Sequence, residues 1–211
     1  MHIAILTFQG FNEVDSLLAL SVLNRVKLAD WRVTLCCPET SVTSMNGVTV
    51  QGQSSLADLP FADAVVVGSG VNTREIVKDT HIMSALNFDP DRQLIGAQCS
   101  GTFILAKLGL LDGVPACTDL TTQPWVQEAG VDVLNQPFSA SGNIATAGGC
   151  LASQYLAAWV ITRLASLEAA DAALRYVAPI GEKDEYVSRA IENIRPYIPR
   201  QPETGTQQCG A

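Results

Sequence analysis

The run Leu94-Ile95-Gly96-Ala97-Gln98-Cys99-Ser100-Gly101-Thr102-Phe103-Ile104-Leu105 has the pattern of a buried strand that turns sharply into a helix, with a cysteine at the bend. Small residues beside the bend let strand and helix approach each other, and Ser100 and Gly101 supply them. A helix starting here aims its free N–H groups and the positive end of its dipole at the thiol, which favours thiolate over thiol. Cys99 is therefore a candidate nucleophile. A buried structural cysteine would leave the same pattern, because free Cys is among the most buried residue types.

A reactive cysteine needs a partner for its proton. The chain has two histidines, His2 at the start of the first strand and His81 after Asp79-Thr80. Both are expected at the surface, which speaks against a Cys-His-Asp triad. A carboxyl group is the other choice, and Glu13 and Asp15 stand where the first strand has turned into the first helix. There an acid complements the helix dipole in any case. Held against a thiol in an apolar cleft, it would also have a raised pKa and could shuttle a proton without histidine. The loop Gly68-Ser69-Gly70 is either a plain connection or a source of backbone N–H groups, with that of Ser100, for a developing negative charge.

The surrounding elements must place these groups together. Residues 3–8 form an apolar run ahead of Gly10, and Val14, Leu17, Leu18, Val22 and Val26 follow at helical spacing over 14–28. A second strand is predicted over 31–37, and Asn46-Gly47 sits between Val42 and Val48 as in a hairpin over 41–51. The β-branched run Ala64-Val65-Val66-Val67 reads as a buried strand before a helix over 72–87. Beyond the elbow the pattern predicts a short segment at 116–118, a helix over 123–128 and strands near 131–134 and 143–146. After Gly148-Gly149 come a long helix over 150–166 and two more over 167–176 and 182–194. Such alternation predicts an α/β fold, a mostly parallel sheet flanked by helices on both faces, with sites beyond the carboxyl ends of the strands. No repeat or composition break divides the chain, so one domain over 1–198 is expected. A polar tail over 199–211, carrying Cys209, has little to bury and is expected to be loose.

Of the 211 residues, 47% are hydrophobic and 16% charged, with a formal charge of -8. An acidic surface without a local Lys/Arg cluster repels phosphate backbones, so nucleic acid is not an expected partner. Apolar runs such as 156–161 fall far short of the roughly 18 residues of a membrane span. Residues 1–8 lack the basic start and small-residue cleavage site of a secretory signal. Cys36, Cys37, Cys99, Cys117, Cys150 and Cys209 show no CxxC spacing, so neither a zinc site nor a disulfide scaffold is expected, and a reducing cytoplasm fits.

The cysteine elbow, the acid in the first strand-to-helix turn and the Gly-rich turn after the third buried strand together resemble the ThiJ/PfpI superfamily. That group contains the parkinsonism-associated deglycase, PfpI-type proteases and isonitrile hydratase. The resemblance runs from Ile3 to about Tyr176. Gln98-Cys99-Ser100-Gly101, Leu108-Gly109-Leu110-Leu111-Asp112-Gly113, Thr146-Ala147-Gly148-Gly149 and Tyr176-Val177-Ala178-Pro179 are most similar to the isonitrile hydratase branch. The resemblance implies a flavodoxin-like, class I glutamine amidotransferase-like fold. It makes Cys99 the nucleophile and Asp15 the acid that hydrogen-bonds its sulfur, with Glu13 two residues too early. Gly70 becomes a backbone donor to an oxyanion-type pocket, and Ser100 stands beside the nucleophile. A small-molecule substrate, a homodimer, and no metal or organic cofactor are also implied.

Three positions depart from the branch. Leu18-Ala19 stand in place of Gly-Pro, so the pocket wall near Asp15 is expected to differ in shape. Asp119 replaces a histidine, which argues against any activity that needs that imidazole. Gln154-Tyr155 replace a frequent acid, with an effect expected only on surface contacts. Regulators of the group append a helix-turn-helix region, for which 177–211 reads as too short and too acidic. The implied function is a cysteine hydratase that adds water to a small electrophilic carbon such as that of an isonitrile. The alternatives are a glyoxalase or deglycase-type enzyme, or a ligand-binding or redox-sensing domain whose Cys99 oxidises reversibly without turnover.

Overall fold

The chain, described over residues 1–199 by a computed structural model, begins with β1 (His2–Leu6), α1 (Glu13–Leu23) and β2 (Arg32–Cys36). The hairpin β3 (Ser41–Thr43) and β4 (Thr49–Gln51) follows, then β5 (Ala64–Val67) and the short helices α2 (Thr73–Ile76) and α3 (Thr80–Ala85). Next come β6 (Leu94–Gln98), α4 (Gly101–Lys107), α5 (Gln123–Glu128), β7 (Phe138–Ser141) and β8 (Ile144–Ala147). Three helices close the described chain: α6 (Ser153–Leu164), α7 (Leu167–Val177) and α8 (Lys183–Ile194). The loose tail expected over 199–211, with Cys209, lies outside the described residues except for Pro199.

Six strands form one sheet in the order β2-β1-β5-β6-β8-β7, parallel except for the antiparallel edge strand β7. Alternation along its central strands decides how it is covered. Ile3, Ile5, Ala64 and Val66 pack on one face with Val22 and Leu23 of α1, Trp159 of α6, Leu174 of α7 and Val187 of α8. Ala4, Leu6, Val65 and Val67 pack on the other with Ile76, Ile104 and Val126 of α2, α4 and α5. Both faces are buried, which is why β1, β5 and β6 read as continuous apolar runs. This is the flavodoxin-like arrangement, and the loops after β1, β5, β6 and β8 meet beyond one end of the sheet.

Four expectations are corrected. The helix expected over 72–87 is two short helices, because Asp79 starts a new one by accepting the N–H groups of His81 and Ile82 at 2.9 and 3.0 Å. Residues 131–134 form only a single bridge, Ala116 to Val133, and β7 takes the sheet edge instead. The segment Cys150–Ala152 is a 3-10 turn, so the helix expected from 150 starts at Ser153. His2 is buried rather than exposed, with Nε2 2.8 Å from Thr34 Oγ1, and its pKa is lowered chiefly by burial.

Candidate active site

Cys99 follows β6 directly and is the one non-glycine residue with positive φ among the described residues, at 45°. Strain of this kind, about 1–3 kcal/mol, persists only where the surroundings over-determine the conformation. Here the Cys99 N–H donates to Ala147 O at 2.8 Å, and Thr118 Oγ1 donates to Cys99 O at 2.8 Å. The thiol is held at the bend with 4% of the residue exposed. Gly101 makes the turn possible, since a Cβ there would lie 2.6 Å from Val67 O and 2.8 Å from Gly68 O, both backbone atoms. Gly101→Ala is expected to destabilise the protein by about 2–3 kcal/mol. Thermal unfolding should show this as a Tm roughly 5–10 °C lower.

Asp15 enters the site from the first turn of α1, whose start is capped by Asn12 accepting the Val14 N–H at 3.0 Å. The residue is 1% exposed. Its Oδ2 accepts from Ser69 Oγ, while Oδ1 is buried without a hydrogen-bond partner. Glu13 turns away to the β3–β4 loop, where it accepts from Ser44 Oγ and from Asn46 Nδ2 at 2.9 Å. A second sulfur joins the pair: an Asp15 carboxylate oxygen, Cys99 Sγ and Cys150 Sγ all lie within 4.8 Å of one another. Among the described residues this is the only such trio of potential metal donors.

Electrostatics sharpen the site. Burial pushes the Cys99 thiol well above its usual range, and the charges of Asp15, Cys150 and Asp119 push it further. Burial likewise raises the Asp15 carboxyl, more than the Ser69 hydrogen bond lowers it. The free thiolate expected from the helix dipole is therefore opposed, because the thiol is enclosed and faces an acid instead of a cation. Both acids thus favour their protonated forms.

The elbow opens into a cleft of about 410 Å³ lined by Asn12, Gly70, Cys99, Asp119, Trp125 and Cys150, with Met45 and Val71 among its other walls. No histidine lines it. Asp15 lies behind the cysteine and is not part of the wall. Gly70 donates its N–H to Ser100 Oγ at 3.1 Å, and Thr73 Oγ1 is 2.7 Å from the same hydroxyl. The Ser100 side chain thus ties the Gly70 loop to the elbow.

A model of the DJ-1/PfpI family matches residues 1–163. The chain belongs to the DJ-1/PfpI family. It is 27% identical over 138 residues to the HTH-type transcriptional regulator GbdR of Pseudomonas aeruginosa, a match covering 64% of this chain and 37% of that protein. The chain thus spans little more than a third of the regulator's length. It is 23% identical over 154 residues to isonitrile hydratase of Pseudomonas putida, covering 72% of this chain and 67% of that one. A solved ThiJ/PfpI family protein from Pseudomonas syringae shares the fold with a TM-score of 0.74 at 17% identity, covering 92% of this chain and 87% of the other. Among the described residues no helix is long and apolar enough to cross a membrane.

Within this DJ-1/PfpI frame the departures take on definite places. Asp119 accepts the N–H groups of Thr121 and Thr122 at 2.9 and 3.0 Å and the Thr122 hydroxyl at 2.6 Å, so it organises the turn into α5 at the cleft wall. Leu18 and Ala19 do not line the cleft as expected; Ala19 is buried in the core under α1 and Leu18 packs against it. Gln154 and Tyr155 are buried in α6 rather than at the surface. Sequence reasoning missed Ser69 as the partner of Asp15 and missed Asn12, Gln98 and Cys150 beside the thiol. Gln98 Nε2 lies 3.7 Å from Cys99 Sγ, and Asn12 Nδ2 is 3.2 Å from Cys150 Sγ. Gln98 neighbours Cys99 in the chain, whereas only the contact between separate loops brings Asn12, Ser69 and Cys150 to the site.

Proposed function

We propose that the protein is a cysteine-dependent hydratase of small apolar isonitriles, with Cys99 as nucleophile and Asp15 as proton carrier. The observation that carries this reading is a strained cysteine on the wall of a cleft without histidine, backed by a buried acid. Cys99 sulfur bonds to the terminal carbon of R–N≡C as Asp15 moves the thiol proton to that carbon, forming the thioimidate R–N=CH–S–Cys99. Water adds to the same carbon, the nitrogen takes a proton, and the C–S bond breaks to release R–NH–CHO and the thiol. Oxygen charge that develops on the way is met by backbone N–H groups of Ser100 and, once freed from the Ser100 hydroxyl, Gly70. Met45, Val71 and Trp125 suit an apolar R group. A homodimer in the cytoplasm, acting without metal or organic cofactor, belongs to the same proposal.

Incubation with a panel of isonitriles and 2-oxoaldehydes, read by chromatography and mass spectrometry, tests it. N-substituted formamides are expected from apolar isonitriles. Hydroxy acids from the 2-oxoaldehydes with no formamide would move the assignment to a glyoxalase. The likeness to a transcriptional regulator favours a second reading, a ligand-binding domain. Saturable isonitrile or aldehyde binding by calorimetry, without product, would select it.

A further inference from the structure

Cys150 has no part in the hydration above, yet its Sγ lies within 4.8 Å of both Cys99 Sγ and a carboxylate oxygen of Asp15. Of the five free cysteines among the described residues, it alone is partly exposed. The segments carrying the two thiols are tied together: Gln98 Nε2 donates to Gly149 O at 3.0 Å, and the Cys99 N–H donates to Ala147 O at 2.8 Å. Each sulfur faces an amide donor, Asn12 Nδ2 at 3.2 Å for Cys150 and Gln98 Nε2 at 3.7 Å for Cys99. Such donors favour thiolate. Asp15 stands beside both sulfurs, and its Oδ1, buried and unpartnered, is free to accept or return a proton.

We propose that Cys99 and Cys150 form a peroxide-responsive dithiol in which a hydroperoxide oxidises Cys99 and Cys150 resolves the product as a disulfide that closes the site. Cys99 sulfur attacks the distal oxygen of ROOH; the S–O bond forms, the O–O bond breaks, and the alkoxide leaves as ROH with the proton given up by the thiol. The peroxide is reduced by two electrons and Cys99 becomes a sulfenic acid. Cys150 sulfur then attacks Cys99 sulfur, the S–O bond breaks, and hydroxide leaves as water with the Cys150 proton, relayed by Asp15. An S–S bond of about 2.05 Å requires the sulfurs to close further. That movement falls to the 3-10 turn Cys150–Ala152, where Gly149 has φ 87° and Leu151 is exposed. A small dithiol reverses the step, so the device protects Cys99 from sulfinic acid, whatever electrophile it turns over.

The test treats purified protein with hydrogen peroxide in the presence of EDTA, blocks remaining thiols, and digests without reductant. Trypsin places Cys99 in residues 93–107 and Cys150 in 108–163, and cleavage after Glu128 separates Cys150 from Cys117. The expected product is a cross-link of 93–107 to 129–163 that forms with peroxide and disappears with dithiothreitol. Cys150→Ser should lose the cross-link and accumulate Cys99 sulfinic acid several-fold faster than wild type. Equal sulfinic acid in both proteins with no cross-link, or a Cys99 inert to peroxide, overturns the proposal. The wild-type cross-link decides alone if the variant misfolds, and a mass readout keeps the result separate from any failure of the hydratase assay.

Discussion

Cys99→Ala is expected to lower formamide production by at least about 10⁴-fold, because a covalent route has no substitute once its nucleophile is gone. The loss should be chemical rather than structural. Cys99 sits at φ 45°, in the left-handed region. Glycine enters that region without the Cβ penalty, so Cys99→Gly should be more stable than Cys99→Ala by about 1 kcal/mol and unfold at a higher Tm. Steady-state rates and thermal melts on the two variants check both halves. Retained turnover in either would remove Cys99 from the reaction.

Asp15→Asn should lower kcat about 10²–10⁴-fold, the usual contribution of a positioned general acid or base. Unlike most buried substitutions it should also stabilise the protein. The Asp15 carboxyl is raised in the fold, so between the ordinary carboxylate range and its folded value the native state binds more protons than the unfolded chain. Stability from this residue is therefore fully present at low pH and falls as pH rises through that window. Asparagine keeps an acceptor for Ser69 Oγ and does not titrate. The variant's advantage should be smallest near pH 4, close to the ordinary carboxylate range, and grow toward neutrality, reaching a Tm gain of roughly 2–6 °C, as when a strained functional residue is relaxed. Melts across that pH range read the sign directly. A constant difference would mean that Asp15 titrates as an ordinary carboxyl.

Burial on both faces made β1, β5 and β6 readable, because such strands show as unbroken apolar runs. The hairpin was readable through Asn46-Gly47, with Gly47 at φ 89°. By contrast β7, Phe138-Ser139-Ala140-Ser141, is short and half polar, and only its antiparallel pairing with β8 makes it a strand. The stretch at 131–134 has the apolar composition of a strand but finds a single bridge. Pairing partners far apart in the chain outweigh local propensity at sheet edges.

The amino-acid sequence by itself determined the elbow, since only small residues such as Ser100 and Gly101 let a helix start against β5 directly after a buried strand. It also determined the absence of an imidazole partner by composition, with two histidines placed away from the bend. What the tertiary structure decided is the company the thiol keeps. Asn12, Asp15, Ser69 and Cys150 come from loops and turns after three different strands, and register and sheet order bring them to one point. The same packing excludes water from Cys99 and Asp15 and so raises both acids. A titration range depends on what encloses a group, and here the enclosing residues are distant along the chain.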